Sequence, residues 1–214
     1  MVKCERTYPP PASLSQRKSY NESDVIKKLK AVFHDKCYIC ELKNLQDGIV
    51  EHRIPHKGND ALKYDWDNLF WACHHCNTWK NKKDVEYNVI DCCKEDPEQH
   101  LKFIYDPFSH MVIVKAKDTE TSSRQTAKLI DNVFNVGNTG IRTNGKSQRM
   151  MELNKEWGIF LKLLTEYRNN KSHLNSKKIT ARLRRESSFS SFKRDYIREH
   201  CSEYKEFQEF ISLN

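Results

Sequence analysis

The chain has 214 residues, 37% of them hydrophobic and 31% charged, with Lys and Arg outnumbering Asp and Glu by 37 to 29 for a net charge of +8. That length is enough to bury a real core, as one large domain or two small ones, and the basic excess suits nucleic acid or another polyanion as partner. No apolar run approaches the roughly 18 residues of a membrane span, and the opening MVKCERTYPPPASL lacks the apolar stretch of a signal peptide. The expected compartment is therefore the cytoplasm, where paired cysteines signal metal rather than disulfide.

In chain order, residues 1–20 carry YPPPASLS, which resists helix and favours an extended arm, free or laid along a partner. NESDVIKKLKAVFHD then offers capping residues and apolar positions at helical spacing, Val25, Ile26, Leu29, Val32 and Phe33. Two CxxC pairs follow, Cys37 with Cys40 and Cys73 with Cys76. Two such turns supply the four thiolates of a tetrahedral Zn²⁺ site. Cys4, Cys92, Cys93 and Cys201 have no such spacing and read as ordinary thiols.

Between the pairs lie residues 41–72, a wider gap than the roughly 12–20 residues of common zinc fingers and ribbons. GIVEHRIP starts as a strand and ends at Pro55, HKGNDALKYDWDN reads as a polar loop, LFWA as a second strand, and HCNTWKNKK as the start of a helix. The expected unit is a hairpin covered by one helix and stapled by zinc. Glu51 and Asn77 provide the oxygen ligands that Mg²⁺ or Mn²⁺ prefers, with room left for water and phosphate. His52 can take a proton from an attacking water, and the Asn68 amide can tie the loop to the histidine strand. Adjacent strand residues point to opposite faces, so Glu51 and His52 both reach one ion only where the strand ends or bulges. His56, on the loop, is the alternative ligand to Glu51. His74, His75, Lys80, Lys82 and Lys83 stand as candidate nucleic-acid contacts, and Trp66, Trp71 and Trp79 as packing around the hairpin.

Downstream, an acidic stretch contains Pro97 at the start of a short helix, and HMVIVKAKD alternates as a strand. SSRQTAKLIDNVFNV forms a helix closed by the turn GNTG, and the segment from Ser147 to Asn170 is the longest periodic helix. The remainder forms two helices broken near Ser187. Lys177, Lys178, Arg182, Arg184, Arg185, Lys193, Arg194 and Arg198 make that last part a candidate substrate groove, a landing site for an acidic partner, or a charged helix face. The expected fold class is α+β and mostly helical. It divides into an arm (1–20), a zinc-stapled domain (21–106) and a mainly helical domain for partner or nucleic-acid contact (107–214).

The stretches CYIC, EHRIP, DNL and CHHCNTWK together resemble the HNH endonuclease family, of the four-cysteine, ββα-metal type. The resemblance implies that Glu51 and Asn77 bind the catalytic divalent ion, that His52 is the general base and Asn68 the structural asparagine, and that Cys37, Cys40, Cys73 and Cys76 bind structural zinc. Asn77 stands where many members have histidine. With MVKCERTYPPPASLS, VEHRIPHKGN, YDWDNLFWACHHCN and IDCCKEDPE, the likeness is to the HNH nuclease subunit of Septu-type anti-phage defence systems, including retron-linked ones. It implies an ABC- or SMC-like ATPase partner and, in retron-linked members, a reverse transcriptase with its DNA–RNA hybrid. DNA is the default substrate, with RNA such as tRNA as the alternative. The competing readings are a non-catalytic zinc-stapled binding module and an interaction subunit whose helical half matters most.

Overall fold

Local signals place the helix at Ser23–Val32, but two short helices arise where none was expected, Ala12–Ser15 in the stretch read as resisting helix and Asp60–Lys63 in the stretch read as a polar loop. A computed structural model describes residues 1–82, 88–135 and 144–213. After a short turn of helix, α1 (Ala12–Ser15), comes α2 (Ser23–Val32), which buries Val25, Leu29 and Val32. The motif region supplies β1 (Gly48–His52), α3 (Asp60–Lys63), a 3-10 turn at Trp66–Asn68, β2 (Leu69–Cys73) and α4 (His74–Lys80). β1 and β2 pair antiparallel, with Glu51 opposite Phe70 and His52 opposite Leu69. Gly48 is required there because a Cβ would lie 2.1 Å from the Trp71 ring. Trp66 and Trp71 are buried and Trp79 is partly buried, all three packed in or against the core.

The second half holds α5 (Pro97–His100), β3 (Leu101–Asp106), β4 (Met111–Ala116), α6 (Thr121–Asn135), α7 (Asn144–Asn169), α8 (His173–Leu183), α9 (Ser190–Glu199) and α10 (Lys205–Leu213). The class is thus α+β, with two small antiparallel sheets among helices. Two departures from the sequence reading stand out. The strand β3 lay hidden in an acidic stretch, and its hairpin with β4 spans residue 106, so the boundary expected there cuts through one supersecondary unit. The C-terminal segment contains a second break, at residues 200–204, giving three helices where two were expected. The turn GNTG and Lys83 fall outside the described residues.

Side chains of flanking helices close the edges of the β3–β4 sheet. The amide N–H of Val112 donates to Asn135 Oδ1 (3.0 Å), that of Val114 to Asp131 Oδ1 (2.7 Å) and that of Phe103 to Asp195 Oδ2 (2.7 Å). Strand groups that would otherwise template pairing with another chain are satisfied internally.

The N-terminal arm is not free. Met1, Val2 and Cys4 are buried, and the Cys4 N–H donates to the Cys92 carbonyl at 2.9 Å. The Arg6 guanidinium donates to the Leu69 carbonyl at 2.7 Å and lies 4.7 Å from the Phe70 ring centre. The start of the arm expected to dangle or to await a partner is therefore packed into the core as irregular chain.

Its first residue joins a buried polar centre. Glu41 is 1% exposed and sits at a positive φ of 61° immediately after the first CxxC. Its carboxylate takes the terminal ammonium at 2.7 Å, Lys36 Nζ at 3.2 Å, the Ser190 N–H at 2.9 Å and the hydroxyls of Ser190 and Ser191. Phe189, the residue before α9, makes no side-chain cap; Glu41 meets the helix N-terminus instead, where a negative charge is favoured. Burial alone would raise the Glu41 carboxyl, but the ammonium groups outweigh it and hold the carboxyl well below the usual carboxylate range.

The C-terminal basic residues also turn inward. Arg182 pairs with Glu156 (2.8 Å), Lys193 with the same carboxylate (3.5 Å), Arg185 with Asp96 (2.6 Å), Arg194 with Glu98 (2.8 Å), and Arg198 with Glu98 and Asp195. The expected groove or landing site is in large part an internal ion-pair network, which leaves Lys177, Lys178 and Arg184 on the exposed surface. Among the described residues no helix is long and apolar enough to cross a membrane.

Candidate metal centre and histidine site

The two CxxC turns converge. Cys37 and Cys40 leave the end of α2, Cys73 closes β2, and Cys76 lies in α4, one turn further on. Their Sγ atoms all lie within 4.8 Å of one another, with Cys40 and Cys73 4.0 Å apart, and all four are buried. Zn–S bonds of about 2.3 Å at tetrahedral angles put sulfurs about 3.8 Å apart, so these residues can hold a metal such as zinc. Backbone bonds shape the first turn: the Cys37 N–H donates to the Leu42 carbonyl and the Glu41 N–H to the Cys37 carbonyl, each at 2.9 Å.

On the other side of β1 lies the histidine site. His52 is half-buried, its ring 4.7 Å from both the Tyr20 and the His56 rings. His52 Nε2 lies 3.0 Å from the Lys63 carbonyl oxygen. A carbonyl only accepts, so Nε2 carries the proton and the lone pair resides on Nδ1. Burial lowers the His52 pKa below its usual 6.5, which keeps the ring neutral near pH 7.

Asn68 fixes the loop that carries this arrangement. It is 3% exposed, and its Oδ1 accepts the Ile54 N–H at 2.8 Å. Its Nδ2 donates to the carbonyls of Ile54 (2.8 Å) and Leu62 (3.0 Å). Both ends of the loop are thereby held to one side chain. Gly58 at φ +85° allows the sharp turn after His56, and Asn59 caps α3 through the N–H of Ala61.

Glu51 points the other way, as strand alternation requires. It is 2% exposed beside Tyr38, and Lys80 Nζ lies 2.6 Å from Oε1 while also donating to the His52 carbonyl at 3.0 Å. The Tyr38 hydroxyl acts on the same carboxylate. Burial raises the Glu51 carboxyl and the Lys80 ammonium opposes that rise. Lys80, expected at a phosphate, is 3% exposed and locked in this pair, so it does not reach a nucleic-acid backbone.

Asn77 lies one turn before Lys80 on α4, a spacing that puts both on one helix face. Its Oδ1 accepts from Asn81 at 2.6 Å. Glu51 and Asn77 thus belong to the β1–α4 side, and His52 with His56 to the loop side. Among the described residues the four cysteines are the one group of three or more Cys, His, Asp or Glu close enough to hold a metal. His75 turns onto α6, its Nε2 3.2 Å from the Val133 carbonyl, rather than toward solvent. His74 is exposed, and Lys82 is exposed over the Trp79 ring at 3.2 Å.

Two contributors carried no local signal: Tyr20, from the arm, and Arg149, whose Nη2 donates to Cys73 Sγ at 3.0 Å. No protein-family model, curated protein or solved structure matches the chain.

Proposed function

We propose that this chain is a metal-dependent endonuclease of the HNH kind, with His52 as its general base. The observation that carries the reading is the His52 ring: Nε2 engaged with the Lys63 carbonyl, Nδ1 bearing the lone pair, in a loop held by Asn68. A half-buried neutral imidazole with one nitrogen committed to a carbonyl is the arrangement needed to accept a proton from water at Nδ1.

Asn77 with Glu51, or with His56, which lies beside His52 on the loop side, would hold the divalent ion. The fit rests on a buried carboxylate facing α4 and on the amide oxygen of Asn77, one turn from the lysine that reaches that carboxylate. Burial raises the Glu51 carboxyl, and the Lys80 ammonium opposes that rise. When bound, Mg²⁺ or Mn²⁺ supplies polarisation of the phosphate and stabilisation of the leaving oxygen. The four cysteines, with zinc, would hold β2 and α4 together and so set the position of Asn77.

In this reading the chain is the effector of an anti-phage defence complex, acting with an ABC- or SMC-like ATPase and, in a retron-linked system, a reverse transcriptase. The support is the sequence resemblance alone. The hold of Lys80 on Glu51 favours a second reading, a zinc-stapled module that binds without cutting, because that carboxylate is already neutralised.

Incubation with plasmid DNA and with total tRNA separates the two. The nuclease reading expects cleavage of one pool in Mg²⁺ or Mn²⁺ and none in EDTA. Cleavage should also fall as the pH drops through the His52 pKa, which burial places below 6.5, because the protonated ring cannot accept a proton. Equal cleavage in EDTA, or a rate that does not fall at any pH below 6.5 while the fold is intact, would contradict it.

A further inference from the structure

The four-cysteine centre has a fifth participant, from a helix the motif does not include. Arg149 lies near the start of α7, 2% exposed, and its Nη2 donates to Cys73 Sγ at 3.0 Å. Four thiolates around a divalent ion leave a net charge of −2 in the interior, and a buried charge of that size is costly unless paired. One guanidinium halves it. An N–H···S bond also withdraws electron density from the sulfur it meets, which makes a ligand thiolate less nucleophilic and less open to oxidation or alkylation.

We propose that Arg149 is the charge-compensating positioning residue of the four-cysteine centre, holding Cys73 as a metal-bound thiolate and making the start of α7 part of that centre. The inference rests on the reading of the four cysteines as a metal site, and it adds a consequence. Metal retention depends on a residue far outside the CxxC pairs, so the centre staples the helical half of the chain to the hairpin as well as stapling the hairpin itself. Outer partners of metal ligands are worth about ten- to hundred-fold in metal affinity elsewhere.

The test uses the full chain, loaded with Zn²⁺ for competition against a chromogenic chelator and with Co²⁺ for absorption spectroscopy. Arg149→Met is expected to lose about ten- to hundred-fold in zinc affinity. Its sulfur-to-cobalt charge-transfer band should move to lower energy, because Cys73 becomes a stronger donor once the N–H···S bond is gone. Iodoacetamide should label Cys73 faster in the variant than in the wild type. Arg149→Lys, which keeps the charge but not the fork that reaches Cys73, should recover part of the affinity and still show the band shift.

A simple packing role for Arg149 would lower stability and leave the band where it is. An unshifted band with unchanged affinity in Arg149→Met therefore overturns the proposal. If that variant does not fold, an unshifted band in Arg149→Lys overturns it equally. A wild-type chain that takes up neither Zn²⁺ nor Co²⁺ would instead sink the metal reading of the cysteines, whatever Arg149 does.

Discussion

Stripping the metal with a strong chelator is expected to lower the melting temperature by tens of degrees and to loosen the hairpin. Metal binding to zinc-finger cysteines is worth about 10–16 kcal/mol near pH 7, comparable to the about 5–15 kcal/mol that holds a whole domain together. At about 2–4 °C per kcal/mol for a chain of this size, even half of that binding energy gives a shift no other single treatment would match. The four sulfurs sit at the junction of α2, β2 and α4, each buried, so their release also exposes core. Circular dichroism melts with and without chelator read the effect directly. Coincident melts would show that the cysteines pack as thiols and that no metal holds the hairpin.

The second large effect lies at Glu41. Glu41→Gln keeps the shape and removes the charge, leaving Lys36 and the terminal ammonium buried without their counter-ion. Removing one partner of a buried ion pair costs about 3–5 kcal/mol, and urea unfolding should show that loss as a lower midpoint.

The pH dependence follows from the direction of the shift. Because the folded carboxyl is held below its ordinary 4.5, the native state binds fewer protons than the unfolded chain as the pH falls past that value. The stabilisation is complete above the unfolded value and drains away in acid. Wild-type stability should therefore decline below about pH 5, and the Glu41→Gln variant should lack that part of the slope. Parallel slopes in the two proteins would mean that Glu41 is not the group responsible.

These two sites differ in how plainly the sequence announces them. The four-cysteine cluster was legible because CxxC turns carry their geometry locally: two sulfurs per turn, and the pairs have only to meet. The helix at Ser23–Val32, the strands on either side of the loop and the tie made by Asn68 follow from period, turn chemistry and amide valence. Glu41 was silent because its partners come from positions 1, 36, 190 and 191, and no spacing rule links them. The basic C-terminal run misled for the same reason. Its counter-ions Asp96, Glu98 and Glu156 lie far away in the chain, so a network that neutralises itself in space reads as a naked charge cluster in one dimension.

Glu51 is the intermediate case. The divergence of Glu51 and His52 was readable from strand alternation, whereas the capture of Glu51 by Lys80 depended on how α4 crosses β1. Likewise, Pro9, Pro10 and Pro11 spoke for an extended arm, but only the aromatic surface around Phe70 determined that Arg6 would bind the arm to the core.

If His52 is the general base, its replacement abolishes cleavage without disturbing the fold, and a single comparison tests this. Wild-type and His52→Ala chains, each co-purified with any tightly bound ATPase partner, would be incubated with plasmid DNA and total tRNA in Mn²⁺. A positioned base contributes about 10²–10⁴-fold, so the variant is expected to retain its fold and its metal and to lose cleavage by at least that lower factor. A variant that cuts as fast as the wild type would contradict it.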